Sequence, residues 1–187
     1  MVTDKSYVNG EIANLSRYWF ERSYPQEAKP FFRLAQDICE NSGQRDSESV
    51  SYMLRETHNN QGSAAAETND NQECLEHNQR WLKLARARRT DAGEEIEDYE
   101  LGQVYNEIGV AYAMNHRYDE AVEHFLRSID IFQSQPDYDD TMLGWPMPNL
   151  GFIYWVQGRY AEAEEVLQEI REIHEAAWGI DDTQSFK

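Results

Sequence analysis

The stretch YNEIGVAYAMNHRYDEAVEHF, Tyr105 to Phe125, sets tyrosines, alanines and a glycine at intervals of three and four, and it holds no obvious reactive group. Tyr105, Ile108, Gly109 and Tyr112 fall on one side of a helix, Ala121 and Phe125 on one side of a second, and Asn115-His116 lies between them. Gly109 precedes Ala121 by twelve residues. The same interval separates Gly151 from Ala163, Gly62 from Cys74 and Ser16 from Ala28, with a small residue at both anchors. These pairs are offset by 46, 47 and 42 residues, and four residues past each later anchor stand Phe32, Asn78, Phe125 and Leu167. Only Asn78 departs from the apolar character of that position.

Small anchors at a fixed interval have a physical reason: where two antiparallel helices cross closely, a bulky side chain would hold the axes apart. Glycine inside a helix costs about 0.5–1 kcal/mol relative to alanine, so its recurrence marks a packing demand. Apolar stripes such as Val104, Ile108, Ala111, Tyr112 and Val122, Phe125, Ile129, Phe132 supply the buried faces. The pattern predicts helices near 10–23, 25–41, 47–68, 71–88, 96–115, 118–134, 146–157 and 160–177, with Pro146 and Pro148 fixing the start of the seventh. The connections near Gln44, Asp91 and Asp137 are polar and need not be ordered.

The order aromatic, aliphatic, Gly, Tyr, then Ala, aromatic resembles the tetratricopeptide repeat, with Met147, Leu150, Gly151, Tyr154, Ala163 and Leu167 as a second copy. The usual unit is about 34 residues, and the longer offsets here, with QGRYAEAEEVLQEIREIHEAAWGIDDTQS, are similar to kinesin-light-chain-type repeats. The resemblance implies an all-α, right-handed superhelical stack of about four helix pairs forming one repeat domain over 1–187, with units near 9–42, 47–90, 96–135 and 144–178. Residues 179–187, GIDDTQSFK, read as the lead-in to a further unit or a tail. The last pair is then expected either to be followed by more chain or to pack on another chain, which allows a homo-oligomer through that end.

Composition narrows the partners. With 17 Lys and Arg against 35 Asp and Glu, the formal net charge is -18, which disfavours nucleic acid and favours neutral or basic ligands. No apolar run approaches the roughly 20 residues that cross a bilayer, and the polar start MVTDKSYVNGE lacks a secretory profile. Cys39 and Cys74 are too few for a disulfide framework and read as free, buried thiols, so a reducing, cytoplasmic or nuclear setting is expected.

The residues give no sign of catalysis. The five histidines make no metal spacing; His77 and His124 hold equivalent repeat positions and read as a surface pair. DYDDTMLG, Asp137 to Gly144, places its glycine too late for a calcium loop. Phosphate loops, nucleophile elbows and Cys/His pairs are missing, and the basic run Arg80–Arg89 reads as a solvated helix end neutralised by the acidic DAGEEIEDYE. No metal or other cofactor is expected.

Resemblance to the family assigns binding to the inner face, formed by the first helix of each pair. Counting along those helices puts Asn14, Arg17, Phe20 and Glu21 there, then Asn59, Asn60, Ser63 and Glu67, then Asn106, Glu107, Val110 and Met114, then Trp145, Asn149, Phe152 and Trp155. Asparagine recurs in each unit and offers both a donor and an acceptor to an extended backbone. Chaperone-tail-binding members carry Lys and Arg on that face, where this chain has Glu21, Glu67 and Glu107. The expected peptide-binding set is Asn14, Asn60, Glu67, Asn106, Glu107, Asn149, Phe152 and Trp155, on a non-catalytic scaffold. The rival expectation is a sensor or regulatory arm cut from a larger, nucleotide-driven protein, and an enzyme ranks third.

Overall fold

The computed structural model describes residues 25–41 and 47–178; the expected helix near 10–23, with Ser16, and the connection at Gln44 lie outside them. Among the described residues the chain is all-α, with seven helices: α1 Pro25–Glu40, α2 Glu48–Glu67, α3 Asn71–Arg86, α4 Tyr99–Met114, α5 Tyr118–Gln133, α6 Pro146–Val156 and α7 Tyr160–Trp178. Pro146 opens α6, as its missing N–H requires. Side chains cap three other starts: Ser47 accepts from the Val50 N–H, Asp70 from Glu73 and Asp98 from Leu101. Two connections that sequence left open take definite forms. After α3 the chain turns back so that Arg89 pairs with Glu95 and Arg86 Nε donates to the Glu95 carboxylate at 3.0 Å, while Asp140–Gly144 makes a short 3-10 turn before α6.

The twelve-residue anchors lie where pairs cross. A Cβ built on Gly109 would stand 2.7 Å from Phe125 Cε1, and one on Gly102, a position the sequence reading passed over, 2.6 Å from Phe132 Cε1. Both distances are well inside van der Waals contact. A Cβ on Gly151 would stand 3.1 Å from a Leu167 methyl carbon. The irregular Asn78 plays the same part: its amide lies 3.0 Å from where a Cβ on Gly62 would stand and satisfies its donor on the Cys74 carbonyl of its own helix at 3.1 Å. A flat polar group thus fills the slot an aromatic fills elsewhere. Ser128 adds a cross-helix bond, its buried hydroxyl donating to the Gly102 carbonyl at 2.7 Å.

Three turns between paired helices share one backbone form. Asn69, His116 and Gly158 have φ of 56°, 58° and 76°, and the next N–H reaches back to Ala65, Tyr112 and Tyr154 carbonyls at 2.9, 3.0 and 2.9 Å. In the later two, the residue after the turn is Arg117 or Arg159, whose guanidinium lies 4.5 and 4.0 Å from the ring centre of Tyr112 and Tyr154.

The chain divides after Glu95 into two compact units. The first buries Ala28, Phe32 and Ala64 in one cluster and Cys39, Val50 and Leu54 in another. Its interior also contains Arg55, Thr57, His58, Gln61, His77 and Asn78. His77 is therefore a correction to the sequence reading: it is buried against His58 and not on the surface, while His124 lies half-buried beside Tyr105 and Tyr112. Cys39 and Cys74 are buried thiols outside any disulfide, as expected. The second unit is apolar at its centre, with Ala121, Phe125, Leu150, Ile153, Tyr154 and Ala163 in one cluster and Phe132, Leu143, Met147 and Ile170 in the next.

Gly109→Leu would drive a side chain into the Phe125 ring, an overpacking expected to cost roughly 1–3 kcal/mol or more. Urea unfolding is expected to show a lower midpoint at unchanged slope, with part of the loss recovered when Phe125→Ala is added. A midpoint equal to the parent's refutes the crossing.

Candidate functional site

The inner-face residues of the second unit come from α4 and α6, the first helices of their pairs. Asn106 stands three residues before the Gly109 anchor and Asn149 two before Gly151, and they are joined directly, Asn149 Nδ2 donating to Asn106 Oδ1 at 3.0 Å. Asn106 Nδ2 in turn donates to Glu107 Oε1 at 2.9 Å. This chain of two bonds ties α6 to α4 and aims the carboxylate. Asn106 is only 4% exposed, so its amide serves the protein's own interior, while Asn149 is half-buried. Glu107 is half-buried too; burial raises its pKa, and the Asn106 bond opposes that shift only in part.

Along α6, Trp145, Asn149 and Phe152 follow at four and three, so they share one side of the helix. Phe152 and Trp155 are each 59% exposed and lie ring on ring, centroids 6.3 Å apart at 25°. Trp145 is exposed as well, its ring edge-on to Tyr99 of α4 at 6.3 Å. Tyr99 was not singled out from sequence, because it lies in the first turn of α4 and its part depends on Trp145, a residue that enters from the next pair. Val110 and Met114 are half-buried, and Val110 packs on the core. The side thus presents three large exposed aromatics beside one oriented carboxylate.

The remaining candidates are spread differently. Asn14, with Arg17, Phe20 and Glu21, lies outside the described residues. Asn60 is half-buried on α2, with Asn59 and Ser63 alongside, and Glu67 is exposed at the end of that helix. These belong to the first unit, and the α4–α6 set belongs to the second.

The acidic run at 137–140 has structural duties. Asp139 caps the 3-10 turn by accepting from the Thr141 N–H at 2.8 Å, and Asp140 accepts from Tyr138 Oη at 2.7 Å. Burial, helped by Asp140, pushes the Tyr138 phenol up to about 12. Among the described residues no group of three or more His, Cys, Asp or Glu side chains is placed to hold a metal ion. No described helix is long and apolar enough to cross a membrane.

Comparison with known proteins follows the same lines. Residues 100–176 match the family model for the tetratricopeptide repeat. BtubC (BKLC) from P. vanneervenii shares the fold with a TM-score of 0.78 at 20% identity, over 95% of this chain and 67% of that one. The apo form of RapI gives 0.76 at 15% identity over 94% of this chain and 45% of its own, so this chain spans less than half of that protein. A Podosopora anserina protein made of nearly identical kinesin-light-chain, TPR-like repeats gives 0.55 at 16% identity, over 96% and 100%. Residues 100–176 thus match the tetratricopeptide repeat, and the described chain shares its fold of paired helices with these structures.

Proposed function

We propose that the chain is a non-catalytic interaction scaffold that takes an extended protein segment against the α4–α6 side of its second unit. The observation that carries the proposal is the exposure of Trp145, Phe152 and Trp155 next to the Asn149–Asn106–Glu107 chain. Large exposed aromatics in one place mark interaction sites more often than free surface, and buried Trp anchors dominate interface energies. A carboxylate already stripped of part of its water and aimed by two amides suits a Lys or Arg of the partner, in keeping with the net charge of -18. Asn106 acts through Glu107 as a positioning residue, and Asn149 has surface left for the partner's backbone. The interaction family of the fold supports this reading at the coarser level. In the first unit, taken by itself, Asn60 and Glu67 are proposed to contact a neutral to basic segment.

The test is selection of short peptides from a displayed random library on the intact protein, followed by titration. Trp155→Ala and Phe152→Ala are each expected to weaken a selected peptide by about thirtyfold, the scale of a hot spot near 2 kcal/mol, with circular dichroism unchanged. Glu107→Lys is expected to slow association and to reverse its salt dependence. Equal affinity across these variants, with losses from Glu123 or Arg127 substitutions on α5, would place binding on the other side and end this reading.

Glu107→Gln separates binding from stability. The glutamine keeps an acceptor for Asn106 and removes a carboxylate whose charge burial disfavours. An acid with a raised folded pKa binds more protons folded than unfolded, so stability falls as pH rises through its titration. Glu107→Gln is therefore expected to raise the thermal midpoint at pH 7, with the gain vanishing below about pH 4, where the unfolded carboxyl is protonated too. Basic peptides are expected to bind it more weakly. A variant less stable than the parent at pH 7 would show that the carboxylate is compensated by a contact of its own.

A further inference from the structure

Within the first unit, His58 of α2 and His77 of α3 face each other, Nδ1 to Nδ1 at 3.2 Å, both buried. Two ring nitrogens at this distance share one hydrogen: one donates and the other accepts. Glu73 Oε1 stands 3.9 Å from the other nitrogen of His77, which favours a hydrogen on that Nε2. His77 Nδ1 is then the acceptor and His58 Nδ1–H the donor. The contact closes only with at least one ring neutral, because two imidazolium rings would set N–H against N–H.

The surroundings reach the pair from three helices. From α1, Lys29 and Arg33 hold Glu73 at 2.6 and 3.2 Å. On α2, buried Arg55 is tied to Ser51 at 2.8 Å and Glu48 at 3.0 Å, and buried Gln61 lies one turn past His58. On α3 stand Glu73, Glu76 and Arg80. We propose that the His58–His77 contact is an acid-sensitive clasp, and that proton uptake by the pair opens α2 from α3 while the helix pairs of the second unit stay closed. The second unit fills its crossings with Phe125, Phe132 and Leu167, and none of its described histidines is fully buried.

Burial first, then His77 and Arg80, hold His58 down to about 4, with Gln61 opposing. Burial also lowers His77, against Glu73 and Glu76 and with Arg80 and Arg33. Both rings are thus neutral in the fold and protonate more readily when it opens. The contribution is intact above the unfolded histidine value near 6.5 and is lost as pH falls toward 4. For His58 alone, the opening equilibrium is expected to rise about thirtyfold between pH 7.5 and pH 5, at about tenfold per pH unit below 6.5. Burial opposes ionisation of Glu73, yet the Lys29 and Arg33 bonds keep its pKa below the ordinary value, so its ties to α1 persist through this window.

Hydrogen exchange of the whole chain at pH 7.5 and pH 5, corrected for intrinsic rates, tests the clasp. Protection across 48–86 is expected to drop by about thirtyfold or more, with 99–176 changing less than threefold. In His58→Gln, which cannot titrate, most of that drop is expected to disappear. An unchanged 48–86 segment in the parent overturns the clasp, and so does a drop that persists in both His58→Gln and His77→Gln. If neither variant folds, imidazole titration of the parent by NMR decides. Two of the five rings resisting protonation down to about pH 5.5 supports the clasp; five rings titrating near 6.5 with 48–86 still protected refutes it.

Discussion

Among the described glycines, the closest approach is between a helix backbone and a ring. At Gly102 and Gly109 the α4 backbone comes so near to Phe132 and Phe125 that a single added carbon would overlap them. That contact sets the distance between paired helices, and the distance decides which side chains reach across. Ser128 can bond the Gly102 carbonyl only because no side chain intervenes. With the pair held this close, the connecting turn must reverse the chain within a few residues, and the left-handed conformations at Asn69, His116 and Gly158 accomplish it. The first helices are then left with a side that their own partners do not cover, and on α6 that side carries the exposed aromatics.

The two units answer the same constraint with different chemistry. In the second, rings and aliphatic groups occupy the crossings. In the first, an asparagine amide lies over Gly62, and a polar cluster of Arg55, His58, Gln61 and His77 occupies the interior. A buried polar network holds only while each member keeps its partner. Such a core is conditional on solution conditions in a way that a core of Phe and Leu is not. Glu107 shows the same tension on a smaller scale: an amide chain holds a carboxylate where it is poorly hydrated, which costs stability and prepares a charge for a partner.

Much of the fold was legible in the sequence because its cause is local. Helix limits followed from period, turn residues and Pro146, and the observed helices begin and end close to those expected. The Gly–small interval of twelve was legible too, since it counts residues along one hairpin of helices. The second rung, Gly102 with Phe132, was missed because only one pair carries it in glycine and phenylalanine. The Asn149–Asn106 bond joins residues in different pairs and depends on how one pair packs on the next, which residue spacing does not state. His58 and His77 escaped for a similar reason: comparing His77 with its repeat equivalent His124 drew attention along the stack, while its partner lay across the pair. Exposure of Phe152 and Trp155 could not be separated from core packing by spacing alone, as both uses share the helical period.

The rungs between α4 and α5 pair positions whose separation shrinks as one moves toward the turn, Gly102 with Phe132 and then Gly109 with Phe125. Each rung is a two-residue lock in which neither member can drift alone: enlarging the glycine collides with the ring, and shrinking the ring leaves a hole above the glycine. Sequence change at these sites must therefore proceed by correlated steps, or pass through a weakened intermediate that the neighbouring rungs keep folded. Gly62 with Asn78 is a different combination standing in the same slot, an alternative key to the same lock. The signature of descent in such a chain is accordingly carried by permitted pairs across each hairpin of helices, and an ancestral repeat would be recognised by its rungs before its individual letters.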